Sequence, residues 1–198
     1  MSAPQPIAFI DLDGVCYDFV GAVEASGIEV DRTSVGLGLP PEHLAKLTRD
    51  ATLYEGPPLP GVTESCERLH GLGLKLVFIT SRPNVLDVMK ATLDFVDGIA
   101  PEAQTPEVIF SHPLGEKPAI VHRLGTPNSI QIDDDPSQLA LLGATAPFLI
   151  WQPWNEPWNA NAPRPIIGEW FALDSMMSVV EVLAPALEEL YRRDGTSS

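Results

Sequence analysis

Phe9-Ile10-Asp11-Leu12-Asp13-Gly14-Val15 is the stretch whose reading decides the fold. The apolar run from Ile7 to Ile10 reads as a short buried strand, and it ends on two aspartates one residue apart. Alternate residues of a strand point to the same side, so Asp11 and Asp13 would face one site if the strand continued. Gly14 then lets the chain turn sharply away. Two neighbouring carboxylates are costly, because each disfavours ionisation of the other. Such a pair serves a metal ion or proton transfer more readily than stability. The plainer alternative is a strand ending in an Asp-Gly turn.

Outward from that stretch, Tyr17 to Ser26 has apolar residues at helical spacing and is closed by Gly27. Glu42 to Leu53 reads as a second short helix that starts just after two prolines, and Gly56 to Gly61 as a stiff connector. No strand is evident between residues 17 and 59, which suits a small helical cap. Residues 1–16 and 60–198 would then form the core. There helices and strands alternate: a helix Val62 to His70, a strand Leu74 to Ile79, and a helix Val85 to Phe95 capped by Asn84. A strand Glu107 to Phe110, a helix Pro118 to Leu124, a strand Ser129 to Ile132 and a helix Pro136 to Leu142 follow. A strand Pro147 to Trp151 and a closing helix Asp174 to Tyr191 complete the set, with the Trp-, Asn- and Pro-rich 151–168 as one long loop. This order predicts an α/β fold, a Rossmann-like parallel sheet with helices on both faces and a cap inserted after the first strand. Ligands of such sheets sit outside the carboxyl ends of the strands.

Charge narrows the partners. Lys and Arg number 12 against 27 Asp and Glu, a formal net charge of −15. That balance argues against a nucleic-acid polymer or an anionic membrane surface. A phosphate-bearing substrate would have to be met by local positive charge. Cys16 and Cys66 make neither a disulfide framework nor a metal-ligand spacing, which suits a reducing cytoplasm. Met1 to Pro6 lacks the character of a signal peptide. No run approaches the roughly 20 apolar residues of a membrane span. The expectation is a soluble cytoplasmic protein, with a homodimer left open.

The strand ends carry the chemistry. The first delivers Asp11 and Asp13, and the second Thr80-Ser81-Arg82-Pro83, hydroxyls that feed a helix N-terminus suited to an anion. Lys117 stands just ahead of Pro118 at a helix N-terminus, where it opposes the macrodipole, a misfit that suggests an anion nearby. The fourth strand delivers Asp133-Asp134-Asp135, of which Asp135 reads as a helix N-cap ahead of Pro136. Asp11, Asp13, Asp133 and Asp134 bring negative charge into one cleft, Lys117 returns one positive charge, and a divalent cation would return two. All-oxygen ligands favour Mg²⁺ over Zn²⁺. Hydroxyls, a lysine and Mg²⁺ around a carboxylate are the components of phosphoryl transfer to an aspartate. Arg82 would meet a second phosphate or pair with an acid. The histidines, His112 beside the cleft included, have no ligand spacing, and Trp151, Trp154 and Trp158 read as packing within their loop.

Asp11-Leu12-Asp13-Gly14-Val15, Phe78-Ile79-Thr80-Ser81, Lys117 and Ile132-Asp133-Asp134 together resemble, in order, the four motifs of the haloacid dehalogenase (HAD) superfamily. By that resemblance Asp11 is the nucleophile that forms an aspartyl-phosphate, and Asp13 protonates the leaving oxygen and then activates water. Thr80, Ser81 and Lys117 hold the phosphoryl oxygens. Asp11, the backbone carbonyl of Asp13, Asp134 and Asp133 hold Mg²⁺. Asp18-Phe19 and Leu53-Tyr54 ahead of Leu59-Pro60-Gly61 are similar to the 5′(3′)-deoxyribonucleotidase family, in which cap aromatics stack the base. This resemblance implies a nucleoside monophosphate substrate contacted by Phe19, Tyr54 and Arg82. The chain departs from that pattern at Leu53, which stands in place of an aromatic, and at Arg82-Pro83 after Thr-Ser. Another small phosphate ester, of a sugar or a cofactor, is the alternative substrate. A non-catalytic, receiver-like domain is the alternative of a different class.

Overall fold

The computed structural model describes residues 4–33, 35–100, 105–111, 116–126, 128–139, 146–150, 152–155, 171–173 and 175–195. His112, Trp151, Trp158, most of the 151–168 loop and the side chain of Trp154 lie outside what is described. Six parallel strands form one sheet in the order β3-β2-β1-β4-β5-β6. They are β1 (Ile7–Ile10), β2 (Lys75–Thr80), β3 (Glu107–Phe110), β4 (Ile130–Asp133), β5 (Ala146–Ile150) and β6 (Phe171–Leu173). From β1 the chain builds outward through β2 to β3, returns to the other side of β1 as β4, and builds outward again. The reversal lies between β1 and β4, and the crevice at such a point is where open α/β sheets take their ligands.

Period-two alternation along the strands sorts the core into two layers. Ala8 and Ile10 of β1, Leu76 and Phe78 of β2, Ile130 and Ile132 of β4, and Phe148 and Ile150 of β5 share one cluster. Against them pack Cys66 and Leu69 of α3 (Val62–Gly71), Phe95, Val96 and Ile99 of α4 (Leu86–Ile99), and Val179, Val180 and Leu183 of α7 (Met176–Gly195). Phe9, Val77 and Ile79 point to the opposite face, where Val121 of α5 (Glu116–Leu124) covers them. The next odd-numbered residues, Asp11 on β1 and Asp133 on β4, therefore emerge on the α5 face.

Between β1 and α3 the described residues contain α1 (Phe19–Ala25), α2 (Pro41–Leu47) and two 3₁₀ turns, Val35–Gly38 and Ala51–Tyr54. Asp18 caps α1 by accepting the N–H of Gly21 at 2.8 Å. Val20, Val23, Leu37 and Leu53 make a small separate cluster under these turns. Tyr17 ties the segment to the end of β1, because its hydroxyl donates to the carbonyl of Leu53 at 2.7 Å and accepts from the N–H of Gly56.

Several local expectations shift. The single helix over 42–53 is α2 followed by a separate 3₁₀ turn, which Asp50 caps through the N–H of Thr52. Asn84 does not cap α4: the N-cap is Val85, in extended conformation and with no side-chain cap bond. Strand β6 is additional, and it pairs with β5 just ahead of α7.

Removing the Tyr17 hydroxyl would leave the Leu53 carbonyl without its donor. Tyr17→Phe should cost about 1–3 kcal/mol in urea unfolding; an unchanged midpoint would mean the tie is inert.

Candidate active site

The turn after β1 decides which way each aspartate points. Asp11 still belongs to the sheet, since its N–H donates to the carbonyl of Ile132 on β4 at 2.9 Å. The strand then curls: the carbonyl of Leu12 accepts the N–H groups of Cys16 at 2.8 Å and Tyr17 at 2.9 Å, and Gly14 turns at φ 82°. Asp11 and Asp13 consequently do not share one environment. Asp11 is 6% exposed and faces α5, whereas the Asp13 side chain keeps 30% of its surface and faces Arg82.

Around Asp11 the ends of β1, β4 and α5 converge. The Lys117 ammonium lies 2.7 Å from Asp11 Oδ2 and 3.3 Å from Asp133 Oδ2. Asp133 is fully buried and also accepts from Gln131 Nε2 at 3.2 Å and from the N–H of Asp135 at 3.0 Å. Asp11, Asp133 and Asp134 each offer a carboxylate oxygen, and these oxygens lie within 4.8 Å of one another. Three buried hard-oxygen donors at that spacing fit a hard divalent cation such as Mg²⁺. Burial pushes the Asp11 carboxyl up to about 8, with Asp133 adding to the rise and Lys117 opposing it. Burial alone would lower Lys117, but the charges of Asp11 and Asp133 outweigh it and hold the ammonium above its usual value.

Asp13 belongs to a second cluster. Arg82 Nη2 donates to Asp13 Oδ1 at 2.7 Å, and Arg82 Nε reaches Oδ1 and Oδ2 at 3.1 Å. Its own N–H donates to Thr80 Oγ1 at 3.1 Å. Thr80 is wholly buried at the end of β2, and Ser81 beside it is half-buried. The Arg82 side chain has no exposed surface, and its guanidinium stands 4.4 Å from the ring centroid of Tyr54. Tyr54 is 2% exposed; its ring stacks on half-buried Phe19 with centroids 5.4 Å apart, and its hydroxyl donates to the carbonyl of Thr48. In this arrangement Arg82 offers no exposed side-chain surface to a ligand, Tyr54 keeps 2% of its surface, and Phe19 is half-buried. A groove of about 840 Å³ is lined by Arg49, Glu55, Asp87, Lys90, Tyr54 and Phe95 among others, and none of the site carboxylates lines it.

Two residues that sequence reasoning missed come from the start of the Trp- and Pro-rich loop. Asn155, 1% exposed, donates to the carbonyls of Asp134 at 2.9 Å and Ile150 at 2.8 Å and accepts the N–H of Gln152 at 3.0 Å. Gln152 donates to the carbonyl of Gly14 at 2.6 Å. The loop thus fastens the backbones that follow Asp13 and Asp133 to each other. Asp135 does cap the following helix, α6 (Pro136–Leu139), by accepting the N–H of Ser137 at 2.8 Å.

The parallel sheet and its strand order define a doubly wound α/β architecture with an acid-lined crevice, and solved structures share that fold. The chain is similar to the D,D-heptose 1,7-bisphosphate phosphatase of Burkholderia thailandensis, with 13% identity, a TM-score of 0.54, and 91% of this chain and 99% of that one covered. It is similar to a HAD family hydrolase of Deinococcus radiodurans with bound phosphate and sodium, at 17% identity and TM-score 0.52, covering 93% and 97%. A phosphonoacetaldehyde hydrolase-like protein of Oleispira antarctica matches at 15% identity and TM-score 0.57, covering 96% and 95%. The chain therefore has the fold of HAD-like hydrolases. No protein-family model and no curated protein matches it. Among the described residues no helix is long and apolar enough to cross a membrane.

The Asp11 shift has a measurable consequence with a definite sign. Its folded value lies above the ordinary carboxylate value of 3.8, so the folded protein holds a proton that the unfolded chain releases. That contribution to stability is complete below about pH 4 and disappears as pH rises through about 8. Without metal, Asp11→Asn should gain stability relative to wild type between about pH 5 and about pH 8. Mg²⁺ should narrow the gap by favouring the ionised wild-type carboxylate. A pH-independent difference in urea midpoints would overturn the assignment.

Proposed function

We propose that the protein is a Mg²⁺-dependent phosphatase that hydrolyses a small phosphomonoester through an aspartyl-phosphate. One observation carries the reading: three buried carboxylates with oxygens within 4.8 Å, and a lysine 2.7 Å from one of them, at the reversal of a parallel sheet. Asp11, Asp133 and Asp134 would hold the metal, together with the carbonyl of Asp13. Bound there, the cation would supply positive charge against the phosphoryl oxygens and favour the ionised form of Asp11.

The residues divide the work as follows. An Asp11 carboxylate oxygen attacks phosphorus while the bond to the leaving oxygen breaks, and Asp13 gives that oxygen its proton. Asp13 then takes a proton from water, whose oxygen attacks the phosphorus of the aspartyl-phosphate; inorganic phosphate leaves and Asp11 is restored. Lys117 supports negative charge on the transferring group, and Thr80 and Ser81 border it from the end of β2. Residues 17–59 act as the cap that limits substrates to small molecules.

A 5′(3′)-(deoxy)ribonucleoside monophosphate is the substrate that the sequence motifs favour. The burial of Tyr54 supports the broader alternative, because a ring stacked on Phe19 and 2% exposed leaves little surface for a base. The Burkholderia neighbour is named for a sugar phosphate, which gives that alternative a definite form.

Asp11→Asn should reduce Mg²⁺-dependent phosphate release by roughly a thousandfold or more with the fold intact. Retained turnover would refute the nucleophile. A panel of purine, pyrimidine and sugar monophosphates separates the two substrate readings, and equal kcat/KM across it would remove the nucleotide.

A further inference from the structure

Arg82 has the environment of a structural cation and the partner of a reacting group. Its guanidinium is walled by Tyr54, Tyr17 and Phe95, at 4.4, 5.4 and 5.6 Å from their ring centroids. Nη1 donates to Thr92 Oγ1 at 3.2 Å, and Thr92 in turn donates to the carbonyl of Val88 at 2.7 Å, so the group is anchored to the backbone of α4. Nε and Nη2 are spent on Asp13. The fork is uneven: Oδ1 takes two bonds, one of them at 2.7 Å, while Oδ2 takes a single bond at 3.1 Å. A planar fork fixed on one side by α4 and on the other by three rings sets the plane of the carboxylate it holds.

We propose that Arg82 is a positioning residue, which sets the Asp13 carboxylate so that Oδ2 is the oxygen that carries the proton to the leaving group. The inference rests on the phosphatase reading and on the acid–base role of Asp13, and it replaces a substrate contact for Arg82. Tyr17, Tyr54, Phe95 and Thr92 then serve the reaction through Arg82, not by touching substrate. Tyr54, the aromatic residue ahead of the Gly56–Gly61 connector, acquires a task that needs no nucleobase.

The test uses two esters that differ in their need for a proton. Arg82→Lys keeps the charge and loses the fork. On an alkyl ester such as glycerol phosphate, kcat should fall by roughly 10- to 100-fold with KM within about threefold, part of the roughly 100- to 10,000-fold that general acid catalysis contributes. On p-nitrophenyl phosphate, whose leaving group departs without protonation, kcat should fall by less than about threefold. Thr92→Val, a milder change, should show the same selectivity at smaller size, and it carries the test if Arg82→Lys does not fold. Equal losses on both esters, or a raised KM with kcat preserved, would overturn the proposal. A thermal double-mutant cycle of Asp13→Asn and Arg82→Met reads the pair without turnover. Asp13→Asn should lower Tm by about 4 °C, and Arg82→Met should cost much less in that background than in wild type. Additive shifts would overturn the pair. A wild type inert on every ester would remove the phosphatase reading, while the melting cycle would still decide the pair.

Discussion

Lys117 places one ammonium against two buried carboxylates, 2.7 Å from Asp11 and 3.3 Å from Asp133. The sheet order makes this contact necessary. Because the chain reverses between β1 and β4, the acidic ends of those two strands must lie side by side, and alternation sends Asp11 and Asp133 out on the same face. Like charges that close and that buried would repel strongly in a medium of low dielectric. Helix α5 covers that face with Val121 and delivers Lys117 from its first turn, where the helix dipole disfavours a cation. The carboxylates compensate the unfavourable placement of the lysine, and the lysine compensates theirs.

The same constraint makes the two aspartates of the first strand unequal. Asp11 stays in the ladder and joins the buried acids. Asp13 is carried out of the ladder by the turn whose N–H groups the Leu12 carbonyl accepts, and it meets the Arg82 guanidinium among its aromatic rings. The positive charges are thus divided, Lys117 to Asp11 and Arg82 to Asp13, which in the proposed reaction are the nucleophile and the proton carrier. Each basic residue is itself held from a different helix, α5 for Lys117 and α4 through Thr92 for Arg82.

The sheet was legible because its strands are short, apolar and separated by helix-length segments. The strand Glu107–Phe110 and the cap of α6 at Asp135 appear where local pattern puts them. The acids and Lys117 were legible because the carboxyl ends of parallel strands are where chemistry gathers. What local pattern does not contain is contact at long range. Gln152 reaches Gly14 across 138 positions, and Asn155 reads as one polar residue among many in a Pro-rich loop. Strand β6 has three residues, too few for a period of two to register. Tyr54 reads as an exposed cap aromatic by motif, yet packing against Phe19 and Arg82 buries it. Asn84 has the right chemistry for a helix cap, but Val85 intervenes in extended conformation before the first turn.

The central position of β1 has a consequence for synthesis. Residues 7–10 leave the ribosome before either of their neighbours, residues 75–78 and 130–132. Until β4 has been translated, one edge of β1 has no native partner, and until Asn155 has followed, the Asp134 carbonyl lacks its clasp. Pairing at such separations is slow and leaves apolar strand edges open to wrong neighbours. Until β4 follows, the nascent chain therefore carries both aspartates without the strand that sets Asp133 beside Asp11. A chain truncated before residue 130 would retain the first motif without the neighbouring strand that completes the crevice.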